Sequence, residues 1–257
     1  MKILFQTIWL TILMRFNICK ILLSAILVIV SALSVNAKTY LLSVGICDYS
    51  SFFSQINNLL LPVKDANAII NLYAHNASVD YVVLTDRKAT RSNILRAMNK
   101  LYTLAGDDDR IVFFFSGHGY SGGICASDTI LDYSDIKKSL AKVKSKSKIL
   151  FVDACRSGSF RKYDEKKGVS HSDSESILFL ASRNNENSIE RRDMKNGFFT
   201  EYLVKGLKGN ADSNRDRKIT TKELFDFVSS RVAIQSNGLQ HPVMWGNFND
   251  STIIIEW

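Results

Sequence analysis

Hydrophobic residues form two kinds of pattern along the chain. Continuous apolar runs at residues 111–115 and 149–152 are typical of strands buried on both faces of a parallel sheet. Elsewhere, apolar residues recur at helical spacing in residues 63–73, 90–105 and 133–143. Because strands and helices alternate, the pattern predicts an α/β fold with a mostly parallel sheet and helices on both of its faces.

Shorter patterns complete the predicted element order. The remaining predicted strands are residues 39–46, 81–84, 176–181, 243–246 and 252–257, of which the last two are candidates for edges. A helix is predicted over residues 197–207, and another begins at Thr220, where Glu223 three residues later would complete a capping box. Residues 160–175 are polar and charged, which predicts an exposed loop that is long for a compact domain.

The two long apolar runs end in reactive side chains. One continues into Ser116-Gly117-His118-Gly119 and the other into Asp153-Ala154-Cys155. Ligands of open α/β sheets bind at the carboxyl ends of the strands, so parallel neighbours would bring His118 and Cys155 together there. A thiol with a pKa of about 8.5 ionises little at neutral pH, and a histidine can activate it. Either residue alone is better explained as a buried thiol or a hydrogen-bonded loop histidine, whereas the glycine-flanked pair favours catalysis.

These two motifs resemble those of the caspase and metacaspase family of cysteine peptidases. The resemblance extends to residues 63–68 in the first helix and to residues 181–190 and 197–200. Animal caspases carry glutamine two residues before the cysteine, with the histidine about fifty residues upstream. Here Asp153 occupies the glutamine position, and the histidine lies closer to the cysteine along the chain. Both departures indicate the metacaspase-like branch.

The resemblance implies a fold and a chemistry. The fold is a caspase-like three-layer sandwich, with a mostly parallel sheet of about six strands between helices. The implied reaction is peptide-bond hydrolysis by a Cys–His dyad without a required cofactor. By that resemblance Cys155 is the nucleophile and His118 the general acid and base. The backbone N–H groups of Gly119 and Cys155 would form the oxyanion hole.

The resemblance also divides the chain. Residues 38–257 would be one peptidase domain, with a large-subunit-like part (38–159), a linker loop (160–175) and a small-subunit-like part (176–257). Many family members cut this linker during activation. Metacaspases cut after basic residues, and the loop carries four of them: Arg161, Lys162, Lys166 and Lys167. Self-cleavage is therefore expected in the loop, and the shorter basic turn 144–148 is a second candidate.

Three acidic residues predict the cleavage specificity. Animal caspases bind an acidic substrate side chain with arginine and glutamine. Here Asp153 occupies the glutamine position and Glu190 aligns with the arginine, and Asp65 matches a second acidic pocket residue of metacaspases. An acidic pocket should bind arginine or lysine and repel aspartate, because a like-charged buried pair is costly. The alternatives are a strand-end carboxylate bonded to nearby N–H groups for Asp153, and surface or ion-pair roles for Asp65 and Glu190.

The N-terminus has the pattern of a signal peptide. An apolar run at residues 21–35 follows basic residues and ends in Val35-Asn36-Ala37, which suits signal peptidase. The run is shorter than the about 20 residues of a membrane span, and Met14 lies at the distance expected of the true start. We expect residues 1–37 to be removed and the protein to be exported to the periplasm or secreted. An uncleaved membrane anchor is the alternative.

Composition and cysteine content narrow the function classes. The chain has 257 residues, 46% hydrophobic, and a net charge of +8, which is ordinary for a globular protein. No stretch interleaves basic and aromatic residues, so nucleic-acid binding is not expected. Removal of the signal segment leaves Cys47, Cys125 and Cys155, which is not a disulfide framework. Cys47 and Cys125 are interpreted most simply as small buried hydrophobes, with a disulfide between them as the alternative.

Residues 212–223 have the spacing of a calcium-binding EF-hand loop. The oxygen ligands would come from Asp212, Asn214, Asp216, Thr220 and Glu223. Arg217 occupies the position that requires glycine for the sharp turn, and its charge opposes calcium. A solvated turn with Thr220 as a helix N-cap explains the same residues, so calcium remains an alternative.

Two further hypotheses belong to other function classes. One is a catalytically silent caspase-like interaction module, against which the intact pair of His118 and Cys155 argues. The other is a calcium-responsive regulatory protein, which depends only on residues 212–223. Protein or peptide substrates are the expected partners, and the pattern does not indicate an oligomeric state.

Overall fold

The computed structural model describes most of the chain after the N-terminal segment. It covers residues 37–50, 56–74, 78–120, 122–155, 157, 175–183, 186, 188–190 and 193–256. The predicted signal peptide therefore lies outside the described residues except for Ala37, and the predicted linker loop does so except for Glu175. Within the described residues, no helix has the length and apolar character needed to cross a membrane.

The helices and strands follow the predicted alternation. In chain order they are β1 (Thr39–Gly45), α1 (Pro62–Ala74), β2 (Val79–Thr85), α2 (Arg91–Tyr102), β3 (Arg110–Ser116), β4 (Gly119–Tyr120), β5 (Gly123–Cys125), β6 (Ile130–Asp132), α3 (Tyr133–Leu140), β7 (Ser147–Asp153), β8 (Glu175–Leu180), α4 (Phe198–Lys205), β9 (Lys218–Thr220), α5 (Thr221–Gln235), β10 (Val243–Asn247) and β11 (Ile253–Glu256). Thr90 caps α2 by accepting a hydrogen bond from the Asn93 N–H.

The main sheet has six strands in the order β10-β8-β7-β3-β1-β2. Five are parallel, and β10 lies antiparallel at one edge. The alternating side chains of β3 point into two separate cores, with Phe113 and Phe115 in one and Val112 and Phe114 in the other. A strand that fills two cores needs apolar residues at every position, which explains the continuous hydrophobic run.

Helices cover both faces of the sheet. Helices α2 and α3 pack into the core that contains Phe113, and helices α1, α4 and α5 pack into the core that contains Phe114. This arrangement confirms the predicted three-layer α/β sandwich.

Two features differ from the sequence pattern. The late strand β11 pairs with β9 in a separate two-stranded sheet, and so it does not extend the main sheet. A small antiparallel sheet of β4, β5 and β6 follows His118 and was not predicted. These strands have two or three residues, so they are too short to produce a recognisable alternation.

The register between β3 and β7 determines where the reactive residues lie. The two strands are hydrogen-bonded parallel neighbours, and Ser116 at the end of β3 is level with Asp153 at the end of β7. The ladder continues one step further, because the Gly117 N–H donates to the Asp153 carbonyl at 3.1 Å. The segments that carry His118 and Cys155 therefore leave the sheet side by side.

Candidate active site

Gly119 allows the backbones of the two strand tips to touch. A Cβ atom at this position would lie only 2.0 Å from the carbonyl oxygen of Cys155 and 3.2 Å from the Cβ of Ala154. No side chain fits there, so glycine is required for this approach. As a result, His118 and Cys155 line the same small cavity.

The imidazole of His118 is held by a loop that precedes α1. Its Nε2 lies 2.7 Å from the carbonyl oxygen of Asn57, and because a carbonyl only accepts, Nε2 carries the hydrogen. Tyr49 packs its ring against the imidazole with centroids 4.8 Å apart. Its hydroxyl accepts from the His118 backbone N–H at 3.0 Å and donates to the Cys125 carbonyl at 3.1 Å. In the neutral ring Nδ1 is then the basic nitrogen.

The three described cysteines form no disulfide, so the alternative of a Cys47–Cys125 disulfide is wrong for this structure. Cys125 is buried, as expected of a small hydrophobe, and burial raises the pKa of its thiol to about 11, with a smaller contribution from Cys155. Cys47 is only half-buried, and its Sγ accepts a hydrogen bond from the Val63 N–H at 3.4 Å. The Sγ of Cys155 lies 3.9 Å from the Ser188 carbonyl oxygen at the cavity.

Two buried carboxylates form the inner wall of the cavity. Asp65 and Asp153 are 1% and 4% exposed, and both line it. A Cβ at Gly197 would lie 3.0 Å from Oδ2 of Asp153 and 3.5 Å from Oδ2 of Asp65, so both oxygens converge on this glycine. Asp65 therefore lies beside Asp153, and the alternative of a surface role for Asp65 is wrong.

Neutral groups satisfy both carboxylates. Asp65 accepts hydrogen bonds from the Ser116 hydroxyl at 2.8 Å, the Asn196 amide at 2.8 Å and the Gly197 N–H at 3.1 Å. Asp153 accepts from the Ser188 hydroxyl, and from the Thr200 hydroxyl and N–H at 2.7 and 3.2 Å. The Asp153 carboxylate is therefore held by one backbone N–H and two hydroxyl groups.

Burial and mutual repulsion perturb the ionisation of these carboxylates. Among the described residues, no lysine or arginine forms an ion pair with Asp65 or Asp153. Burial, and then the charge of Asp153, raise the pKa of Asp65 to about 8. Burial also raises the pKa of Asp153, against the effect of its hydrogen bonds.

Glu190 joins the cavity from the segment 188–190. Its carboxylate accepts from the N–H groups of Leu60 at 2.9 Å and Leu61 at 3.2 Å, directly before α1. Anionic groups are favoured at a helix N-terminus. Glu190 therefore has a structural contact as well as a position on the cavity wall.

Some residues of the site were missed by the sequence reasoning. Loops without hydrophobic periodicity supply three of them. Tyr49 and Asn57 contact His118, and Ser188 contacts Asp153 and Cys155. Gly197 and Thr200 belong to a stretch that resembles the family, but nothing in their spacing indicated contact with Asp153.

The proposed calcium loop has internal partners for its carboxylates. Glu223 accepts from the Thr220 N–H at 3.1 Å and from the Ser213 hydroxyl at 2.7 Å, and the predicted capping box of α5 is confirmed. Arg217 adopts a positive φ of 65°, the conformation for which glycine is usual. Within the part of the chain that the structure describes, no group of three or more His, Cys, Asp or Glu side chains could hold a metal ion.

Asp65→Asn should stabilise the protein increasingly as pH rises. The pKa of Asp65 is raised from 3.8 to about 8 in the folded state, so the folded protein holds a proton that the unfolded chain has lost. The free energy of unfolding of the wild type then falls by about 1.4 kcal/mol for each pH unit between these two pKa values. Asparagine does not titrate, so the variant avoids this loss. Urea unfolding at pH 5 and pH 8 measures the difference. A variant no more stable than wild type at pH 8 would contradict the assignment, and Asp107→Asn in an exposed turn is the control.

Comparisons with known proteins agree with this architecture. The caspase domain, as a family model, matches residues 40–252. The chain is 36% identical over 90 residues to Metacaspase-1 of Debaryomyces hansenii, a match that covers 33% of this chain and 20% of that relative. The crystal structure of protein GSU0716 from Geobacter sulfurreducens matches with a TM-score of 0.61 at 17% identity, over 85% of this chain and 100% of that one, and so it supports the fold alone. Because the family match spans most of its length, this chain belongs to the caspase-domain family of cysteine peptidases.

Proposed function

We propose that the protein is a cysteine endopeptidase that cleaves peptide bonds after arginine or lysine, with Cys155 as the nucleophile and His118 as the general acid and base. One observation carries the proposal. A single cavity is lined by His118 and Cys155 and by the buried carboxylates of Asp65 and Asp153. Such a site presents a nucleophile beside a pocket that suits a cationic side chain.

The proposed chemistry begins with the orientation of His118. The Nε2–H group of His118 donates to the Asn57 carbonyl oxygen, with 2.7 Å between Nε2 and the oxygen. Nδ1 is therefore left to take the proton of the Cys155 thiol. The thiolate attacks the substrate carbonyl carbon, and the N–H groups of Gly119 and Cys155 stabilise the oxyanion that forms. Nδ1–H then protonates the leaving amine as the peptide bond breaks. Water hydrolyses the thioester, so the reaction requires no metal or organic cofactor.

Cys155→Ala and His118→Ala should each reduce peptidase activity by at least about a thousandfold, because each removes a reacting group. Both residues lie at strand tips outside the cores, so folding should be retained. Turnover of a peptide substrate and circular dichroism measure the two effects.

Cys47→Ala is the matched control for the nucleophile. Its sulfur, like that of Cys155, is half-buried and forms no disulfide, but it does not line the cavity. We expect its activity to stay near that of wild type. Wild-type turnover in Cys155→Ala, or loss of turnover in Cys47→Ala alone, would mean that the nucleophile is misassigned.

The carboxylates support the proposed basic specificity. Asp65 and Asp153 are buried without a described cationic partner, and a substrate guanidinium or ammonium would supply one. An aspartate side chain in the same pocket would add a third buried negative charge, which is unfavourable. Glu190 on the cavity wall increases that repulsion.

Substrates with arginine or lysine before the scissile bond should be cleaved, and matched aspartyl substrates should not. Asp153→Asn should lower kcat/KM for the arginyl substrate about 30-fold or more, because a charge-assisted contact is lost. Asp107→Asn, in the exposed turn before β3, should have no effect. Efficient cleavage after aspartate would overturn the specificity.

We also propose self-processing in residues 160–175. Wild-type protein should split into two fragments that stay associated, whereas Cys155→Ala should stay whole, because the loop carries four basic residues and loops are accessible to proteolysis. Mass spectrometry locates the cut. Replacement of the four basic loop residues by glutamine should prevent it, whereas replacement of Lys144 and Lys146 should not. Full activity of an intact wild-type chain would argue against processing.

Export remains a proposal that depends on the sequence of residues 1–37 alone. The mature protein would begin at Lys38, because Val35-Asn36-Ala37 is typical of a signal peptidase site. N-terminal sequencing of the protein purified from its native cells measures this directly. Retention of residues 1–37 would favour a membrane anchor.

A further inference from the structure

Two buried carboxylates lie side by side in the cavity wall, and no lysine or arginine of the described ranges forms an ion pair with either of them. Asp65 and Asp153 are nearly inaccessible, and their two Oδ2 atoms flank the same glycine, Gly197. Their hydrogen-bond donors are hydroxyls, an amide and backbone N–H groups, none of which carries a charge. Two adjacent buried carboxylates cannot both ionise at ordinary cost, and they titrate as a pair.

The hydrogen bonds indicate where one proton can reside. Oδ1 of Asp65 faces two groups that can only donate, the Asn196 amide and the Gly197 N–H, so a proton on that oxygen would clash with them. Oδ2 faces the Ser116 hydroxyl at 2.8 Å, and a hydroxyl can accept as well as donate. The protonated form of Asp65 therefore keeps all of its hydrogen bonds when Ser116 reverses its role.

The other titratable groups around the pair do not remove the need for this proton. From the segment 188–190, Glu190 adds a further negative charge. His118 and Cys155 line the cavity from the ends of β3 and β7, and among the described residues that line it His118 is the only one with a basic side chain. Its Nε2 is directed to the Asn57 carbonyl.

We infer that the pocket binds a cationic side chain by exchange: the Asp65–Asp153 pair holds one proton when empty and releases it to solvent when a guanidinium or ammonium group enters. The inference rests on the proposed function, since it concerns the pocket for the substrate side chain. The balance is simple. The Oδ2–H bond of Asp65 breaks, the buffer takes the proton, and the Asp65 carboxylate joins that of Asp153 as a partner of the incoming cation.

The exchange predicts how binding depends on pH. Protons and cations compete for the pair, so affinity should rise about tenfold for each pH unit while the empty pair is protonated, and then level off. The pKa of Asp65, raised to about 8 by burial and by Asp153, agrees with a pair that is protonated at neutral pH. The effect should appear in KM for arginyl substrates, because it belongs to binding.

Calorimetry of benzamidinium binding tests the inference. This probe stays cationic across the range, and the Cys155→Ala variant prevents turnover and self-cleavage. Titrations at pH 7 in two buffers with different ionisation enthalpies give the number of protons released, which should be close to one. Affinity should increase about tenfold from pH 6 to pH 7. The added substitution Asp65→Asn should reduce proton release to well below one, whereas Asp107→Asn should leave it unchanged.

The outcomes separate this inference from the proposed function. Binding without proton release, at an affinity independent of pH, would overturn the exchange and leave the basic specificity intact. Failure of benzamidinium to bind, together with failure to cleave arginyl peptides, would overturn the proposed specificity itself. Binding that persists unchanged in both Asp65→Asn and Asp153→Asn would place the probe elsewhere and overturn the exchange. Asp153→Asn also replaces Asp65→Asn as the test should the latter not fold.

Discussion

The in-register pairing of β3 with β7 is the constraint on which the site depends. Because Ser116 lies level with Asp153, the two strands end together, and the residues that follow them emerge at the same height. Gly119 then permits a contact with the Cys155 carbonyl that any side chain would block. A one-residue shift of the register would move the reactive groups apart. It would also move the side chains of the shifted strand from one core to the other.

The same strand ends carry an energetic cost. Asp153 terminates β7 inside the protein, and Asp65 in α1 is buried next to it without a described cation. Folding must therefore protonate one of the pair or tolerate their repulsion, and the two long apolar strands with their double core supply the stability that offsets this. Groups that are unfavourable in the empty protein are common at functional sites, because a ligand can satisfy them.

Loops that lie far apart in the chain complete the cavity. The loop before α1 provides Tyr49 and Asn57 to His118, and the segment 188–190 provides Ser188 to Asp153 and Glu190 to the start of α1. Residues that precede the segment 160–175 and residues that follow it therefore form the cavity together. A cut in residues 160–175 would leave both fragments joined by the hydrogen-bonded pairing of β7 with β8.

The sequence by itself determined the α/β class, the central strands and the expectation that His118 and Cys155 lie at neighbouring strand ends, because continuous apolar runs and their abrupt polar ends are local signals. It also indicated the capping box at Thr220 and grouped Asp65, Asp153 and Glu190 through the family resemblance. Only the tertiary structure decided what those carboxylates contact. Glu190 and Leu60 are 130 positions apart, and no local pattern reports whether a buried acid meets a cation, a hydroxyl or another acid. Burial and neighbouring charge depend on residues brought together by folding, and they determine the ionisation of the pocket.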